Sequence, residues 1–163
     1  MSKQPVIFTQ NISESIDEIL SRYSYDKLFV LTDRNTFKFA FPLLENSKLC
    51  SNAEQIIIEA DDTHKNLEAL TSVWKILSDK HAPRRSFMIN LGGGMVTDLG
   101  GFAASTFKRG IRYINIPTTL LGAVDAAVGG KTGINFNGLK NEIGVFNPAE
   151  SVLISTVFFK TLS

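Results

Sequence analysis

Leu91-Gly92-Gly93-Gly94-Met95-Val96-Thr97-Asp98 is the stretch that decides the fold. The residues before it, Ser86 to Leu91, make an apolar run suited to a buried strand. Those after it read as a helix from near Met95 to Phe107 that ends before Gly110. Three glycines between a strand and a helix let the backbone approach a pyrophosphate closely, and the free N–H groups and dipole of the helix start favour the anion. The run departs from G-x-G-x-x-G, because Thr97 stands where the third glycine would be, and it follows the fourth strand-like segment instead of the first. A tight strand-to-helix turn that needs positive φ explains the glycines as well. Taken alone, the run leaves both readings open.

Working outward, short β-branched runs alternate with longer amphipathic ones. Val6 to Thr9, Lys27 to Thr32, Gln55 to Glu59, Ser86 to Leu91, Arg112 to Ile116 and Ser151 to Ile154 read as strands. Asn11-Ile-Ser-Glu14 reads as a helix start, with Asn11 as N-cap and Glu14 as the reciprocal acceptor. The stretch Thr63 to Asp79 places Leu67, Leu70, Trp74 and Leu77 on one helical face. Strand-helix alternation predicts an α/β fold: a Rossmann-like, largely parallel sheet with helices on both faces and right-handed crossovers. Ligands in such sheets sit beyond the carboxyl ends of the strands. The candidate ends are Asp33, Glu59 to Asp62, Gly92 to Gly94 and Pro117 to Thr119. From Gly122 to Gly144, six glycines and three asparagines predict loops with a short hairpin.

The chain has 163 residues, enough for one domain with a sizeable core. At 44% hydrophobic and 20% charged it has the composition of ordinary soluble proteins, and no run approaches the ~20 apolar residues of a membrane span. The first ten residues do not form a secretory signal, so the expected compartment is the cytoplasm. A net charge of +1 argues against a nucleic-acid or membrane partner. Between Leu91 and Asn147, however, Lys108, Arg109, Arg112, Lys131 and Lys140 face only three acidic residues, as suits a small anionic ligand. Cys50, the single cysteine, reads as packing near a helix end. His64 and His81 fall at opposite ends of one expected helix, both on the surface, and no ligand-spaced His/Asp/Glu cluster exists, so no metal site is expected in the chain.

Other segments carry chemistry more weakly. Pro117-Thr-Thr-Leu-Leu121 offers two hydroxyls after a strand, where Thr more often caps the next helix. Asp125 lies among apolar residues and needs a cation, with Lys131 or Arg109 as candidates. Gly129-Gly-Lys131-Thr resembles a P-loop superficially, but lacks the earlier glycine and the flanking strand and helix. Lys131, Lys140 and Asn141 on glycine-rich backbone read as anion and hydroxyl ligands, against the simpler reading of solvated surface residues.

In order and spacing, Gly92-Gly-Gly-Met-Val-Thr-Asp98, Gly101-Phe102, Lys108-Arg-Gly110, Pro117-Thr-Thr-Leu-Leu121, Asp125, Gly129-Gly-Lys-Thr-Gly-Ile-Asn135 and Gly138-Leu-Lys-Asn141 resemble the 3-dehydroquinate synthases, within the sugar phosphate cyclases. The match is nearly gapless from Leu91 to Thr161 and looser before. The resemblance implies an NAD-dependent lyase of the shikimate pathway that converts 3-deoxy-arabino-heptulosonate 7-phosphate into 3-dehydroquinate and phosphate. It implies as NAD ligands Asp33, Asn35, Asp62, Lys65, Gly93, Gly94, Asp98, Thr118, Thr119, Lys140, Phe158 and Thr161. As substrate and catalytic residues it implies Arg109, Asp125, Lys131 and Asn141. It further implies a homodimer, and a zinc (or cobalt) ion held by one Glu and two His that would follow Thr161-Leu162. Residues 1–163 then correspond to the NAD-binding N-terminal domain of a two-domain enzyme. They would lack its helical C-terminal domain and be inactive alone. Three positions depart from the pattern: Asp61-Asp62-Thr-His-Lys65 replaces Gly-Glu-x-x-Lys, Phe136 replaces a His, and Ser155 an Asp. Another cyclase, such as a 2-deoxy-scyllo-inosose or amino-dehydroquinate synthase, or a stand-alone nucleotide-binding module, remains an alternative.

Overall fold

Six strands form one parallel sheet in the order β1-β8-β5-β4-β2-β3, with β6 and β7 in a separate antiparallel pair. The strands are β1 (Val6–Phe8), β2 (Lys27–Asp33), β3 (Glu54–Ile58), β4 (Ser86–Gly92), β5 (Arg112–Pro117), β6 (Lys131–Phe136), β7 (Leu139–Phe146) and β8 (Val152–Ile154). The helices are α1 (Ile12–Leu20), α2 (Arg34–Phe39), α3 (Leu67–Asp79) and α4 (Gly94–Thr106). The computed structural model describes residues 4–161, apart from the side chains at 125, 126, 160 and 161.

The central strands carry apolar residues on both faces, as a sheet covered on both sides requires. Phe29, Leu31, Ile56 and Met88 point to one face, where α3 and α4 pack with Leu70, Val73, Leu77, Leu99 and Phe102. Leu28, Val30, Ile89, Leu91 and Ile114 point to the other, against Ile16 and Leu20 of α1 and the segment holding Leu44 and Cys50. Each of these large side chains is almost fully buried, worth about 1.5–3 kcal/mol apiece. The fold is therefore three layers, helices over and under one sheet, and the expected α/β class holds.

Helix α4 is buried nearly all round, and its small residues explain how it fits. A Cβ on Gly100 would lie 2.2 Å from Asn90 Oδ1 in the sheet, and one on Gly101 would lie 2.5 Å from Thr132 Cγ2 in the hairpin. The helix is thus wedged between β4 and β6. Below it, Asn90 Nδ2 donates to Asn115 Oδ1 at 3.1 Å, and Asn115 Nδ2 donates to the Ala127 carbonyl at 3.1 Å. This buried relay ties the segment after β5 to the middle of the sheet.

The expected strands are observed with shifts of one residue at most. Three details differ. Helix α3 begins after Asn66, whose side chain accepts from Ala69 N at 2.9 Å, because residues 62–64 form a 3-10 turn instead. Its buried stripe is Leu70, Val73 and Leu77, with Leu67 exposed. At α1, Asn11 caps Glu14 N, but the Glu14 carboxylate accepts from the Asn11 side-chain amide while the Asn11 backbone N–H goes to Thr9 Oγ1. The hairpin is also longer than expected, an eight-residue β7 against a six-residue β6. Cys50 sits in a 3-10 turn, and burial pushes its thiol up to about 11, which fits packing and not chemistry.

Candidate functional site

In the strand order, β2 connects outward to β3, and the chain then returns past β2 to β4. The sheet's direction of winding reverses between β2 and β4, and the crevice outside such a reversal is the usual ligand site. A cleft of about 890 Å³ opens there. Asp33 ends β2, Asp62 and Lys65 follow β3, Gly93, Gly94 and Asp98 follow β4, and Thr118 and Thr119 follow β5. Lys140 reaches the cleft from β7, and Phe158 from the turn after β8. Asn35 completes the set, so eleven of the twelve residues expected to hold NAD line one cavity. The side chain of the twelfth, Thr161, lies outside the described residues.

The glycine turn does not use positive φ. Gly93 has φ −79° and ψ −167°, and the glycines with positive φ are Gly110, Gly129, Gly130 and Gly138. The glycines at 92–94 therefore supply room, not left-handed backbone. A Cβ on Gly92 would lie 2.6 Å from Val96 Cγ2, and one on Gly93 3.2 Å from Thr119 Cγ2. No side chain caps α4 at Gly93, so its first N–H groups face the cleft without an internal acceptor from the cap. The Thr118 N–H donates to the Gly92 carbonyl at 3.0 Å, which locks the two loops side by side.

Asp33 is anchored by its own helix. Its Oδ1 accepts from Thr36 N at 2.8 Å, and the Asp33 N–H donates to Thr36 Oγ1 at 3.0 Å, closing a capping box on α2. One carboxylate oxygen is committed to the fold, while the residue still lines the cleft.

Beyond Asp98 lies a second concavity of about 660 Å³, which Lys131, Asn141 and Glu142 line together with Asp98 itself. Lys65 forms the partition between the two cavities. It is buried, and its Nζ donates to Asn141 Oδ1 at 2.7 Å and to Asp98 Oδ2 at 3.1 Å, with Asp62 Oδ1 at 3.9 Å. The hairpin is clipped to the same place through Asn135. The Asn135 N–H donates to the Lys65 carbonyl at 2.8 Å, Asn135 Nδ2 to the Asp62 carbonyl at 3.2 Å, and Asn141 N–H to Asn135 Oδ1 at 3.0 Å. Behind the hairpin, Tyr113 donates its phenol proton to the Asn147 carbonyl. Burial, and then the charges of Glu150 and Asp98, push that phenol well above its ordinary range, so it stays a donor.

Lys131 and Asn141, two of the four expected substrate residues, thus share one cavity. The side chain of Asp125 lies outside the described residues, and its proposed cation partner is not placed. Arg109 is exposed at the far end of α4, a helix of 13 residues and so about 20 Å long. It borders neither cavity. Sequence reasoning missed Asn135 as the clip, Thr132 and Glu142 in the second cavity, and Phe39, Leu43 and Met95 as apolar wall of the first. The signal was weak: α2 carries two phenylalanines, Phe37 and Phe39, and only Phe39 lines the cleft.

Three layers, with a glycine-walled cleft at the reversal of a parallel sheet, define a ligand-binding domain of the doubly wound α/β class. The chain belongs to the 3-dehydroquinate synthase N-terminal family, whose sequence model matches residues 55–163. The 3-dehydroquinate synthase of Parabacteroides distasonis is 52% identical over 162 residues, 99% of this chain and 46% of that protein. That of Clostridium tetani is 45% identical over 139 residues, 85% of this chain and 37% of its own. The chain thus spans less than half the length of these curated relatives. Among solved structures, 2-epi-5-epi-valiolone synthase from Streptomyces hygroscopicus subsp. jinggangensis 5008, with NAD+ and Zn2+ bound, superposes with a TM-score of 0.85 at 29% identity over 100% of this chain and 46% of that one. A 2-deoxy-scyllo-inosose synthase complexed with carbaglucose-6-phosphate, NAD+ and Co2+ shares the fold, with a TM-score of 0.79 at 24% identity over 94% of this chain and 43% of its own.

Proposed function

We propose that this chain is the NAD-binding part of a cytoplasmic 3-dehydroquinate synthase, which converts 3-deoxy-arabino-heptulosonate 7-phosphate into 3-dehydroquinate and phosphate. The observation that carries the reading is the convergence of Asp33, Asp62, Gly93, Gly94, Thr118, Thr119 and Lys140 from separate elements on one cleft. The cleft also suits a dinucleotide physically. The uncapped start of α4 offers N–H groups to a pyrophosphate, and the absence of a side chain at Gly93 leaves room for it beside Thr119. Bound there, NAD supplies reversible hydride acceptance, so that the substrate is oxidised and later reduced with no net redox change.

In this reading the chain's own residues position and neutralise. Lys131 holds the phosphate of the substrate by a charge-assisted hydrogen bond, and Asn141 binds a hydroxyl, its amide oriented by Lys65. Asp98, bordering both cavities, sets the boundary between cofactor and substrate. Asp125 is assigned to a sugar hydroxyl. Arg109 stands about a helix length from the cleft of its own chain; its assignment to substrate therefore requires the implied homodimer to bring it to a second copy. Zinc or cobalt would act in the full-length enzyme with ligands from outside this chain; among the described residues no group of three His, Cys, Asp or Glu side chains could hold a metal ion. No helix among the described residues is long and apolar enough to cross a membrane.

The test is made in a full-length enzyme carrying this chain, with release of phosphate from the heptulosonate phosphate as the assay and other cyclase substrates run beside it. Lys131→Ala should lower kcat/KM at least about tenfold, from the loss of a charge-assisted hydrogen bond worth about 1.5–3 kcal/mol, with NAD affinity unchanged. Loss of NAD affinity with substrate binding intact would show that Lys131 belongs to the cofactor.

A further inference from the structure

The opposite rim of the sheet, where the strands begin, carries a third concavity, of about 500 Å³. Ser24, Tyr25, Arg84, Arg85, Gly110 and Arg112 line it, and no carboxylate does. That volume lies within the range of small-molecule sites, about 300–1,000 Å³. Some basic groups elsewhere stand beside acids: Arg22 beside Glu18, Arg34 beside Glu59, Lys75 beside Asp79 and Lys80 beside Glu54. Among the described residues, Arg84, Arg85 and Arg112 have no carboxylate partner within 4.0 Å, although they share one hollow.

The hollow is also held in shape. Arg85 donates through Nη2 to Ser24 Oγ, and its own carbonyl accepts from Asp26 N at 2.8 Å. Ser86 bonds back to the Pro83 carbonyl through both its N–H, at 3.1 Å, and its hydroxyl, at 2.6 Å, which fixes the turn carrying Arg84 and Arg85. Arg112 lies opposite Phe87 in the β4–β5 register, and its guanidinium stands 5.5 Å from the centre of the Tyr23 ring. Glu150 acts on the Tyr23 phenol of this stack, which burial and then this carboxylate push up. Holding two of three guanidinium groups in place lowers the ordering cost of a ligand.

We propose that this rim is a second anion site, independent of the NAD cleft, that takes the phosphate group of a small phosphate ester. Guanidinium forks match phosphate oxygens in pairs, and three such cations answer a group that carries about −1.5 to −2 charges near neutral pH. The part-buried ring of Tyr25 gives the body of the ester an apolar wall beside the forks.

The experiment records two-dimensional amide spectra of the natural-length protein, with NAD saturating, during titration with inorganic phosphate and with phenyl phosphate at constant ionic strength. Saturable shifts at Ser86 and Gly110 are expected with both probes, larger and at lower concentration with phenyl phosphate; equal response would assign the site to free phosphate. Arg85→Gln with Arg112→Gln should weaken binding at least tenfold. Arg84→Lys, which keeps the charge and loses the fork, should weaken it less, and Lys75→Gln not at all. The proposal is overturned if no saturable shift appears at millimolar probe, if the shifts follow ionic strength alone, or if the arginine variants bind as the parent does.

Discussion

The two rims of the one sheet are built on opposite plans. At the carboxyl rim the glycine turn and the strand ends present backbone and short polar side chains, Gly93, Gly94, Asp33, Thr118 and Thr119, and of the two lysines that line the cleft Lys65 is buried and held by two partners. At the amino rim the surface is long side chains, three arginines over a hollow with no acid in it. The first plan gives fixed geometry, because little side-chain freedom remains to be lost when a ligand binds. The second gives charge with modest geometric definition. Parallel strands with helices returning between them force this asymmetry, since each helix starts at the carboxyl rim with free N–H groups and ends at the amino rim with free carbonyls.

The comparison predicts its own breaking points. The largest effect is expected at Lys65, where Lys65→Met leaves Asp98 and Asn141 facing each other without their cation. Breaking a buried pair costs about 3–5 kcal/mol, and the low end applies because the Asp98 side chain keeps 20% exposure. Unfolding in urea measures it, and a loss below about 1 kcal/mol, the worth of a surface pair, would mean that the carboxyl rim is no more rigid than the amino rim. Next comes Gly93→Val, whose added carbons press on Thr119. NAD affinity should fall at least tenfold, about 1.4 kcal/mol, with little change in the unfolding midpoint; an unchanged titration would remove the glycine turn from the site.

A smaller effect is expected away from both rims, at Asp17. Burial raises its carboxyl pKa, but the Ser47 hydroxyl and the Lys48 and Leu49 N–H groups outweigh that and hold it below its usual value. A carboxyl depressed on folding adds stability above its unfolded pKa, about 3.9, and that stability is lost as pH falls through the folded value. Asp17→Asn should therefore cost about 1.5 kcal/mol at neutral pH, the low end of the worth of hydrogen bonds to a charged group, because Asp17 is only partly buried. The difference from the parent should shrink below about pH 4. A gap that stays constant from pH 7 to pH 3 would assign the loss to packing instead.

Much of the fold was legible because each central strand is a β-branched or aromatic run cut off by a turn, and such runs have few alternatives. The cleft residues were legible for a different reason: their order and spacing match a family, so Asp33 and Lys140 could be placed on one site despite lying far apart in the chain. What the sequence hid was long-range polar pairing. Nothing local at Lys65 points to Asn141, and Asn135 reads as a turn residue until the hairpin folds onto residues 62–65. The hairpin itself was read as mostly loop because glycine and asparagine dominate it. In the structure Gly133 and Gly144 are strand residues facing each other, and a Cβ on Gly144 would lie 1.9 Å from the Thr132 carbonyl. Leu67 failed for the opposite reason, since helical spacing cannot say where the neighbouring layer stops.

The position of β1 carries a consequence in time. Val6 to Phe8 add to the sheet only through β8, at Val152 to Ile154. The hairpin needs nothing distant: Asn137 and Gly138, both at positive φ, close it as a two-residue turn, and such turns form within about 1–10 μs. Strand β1 must instead wait for β8, which follows all the other strands in the chain, so during synthesis it stays unpaired while β2, β3, β4 and β5 can already find their neighbours. That long-range closure is intrinsically slow, and it leaves β1 as an edge strand of the finished sheet, with Val6 and Phe8 still exposed on a short edge that another strand could extend.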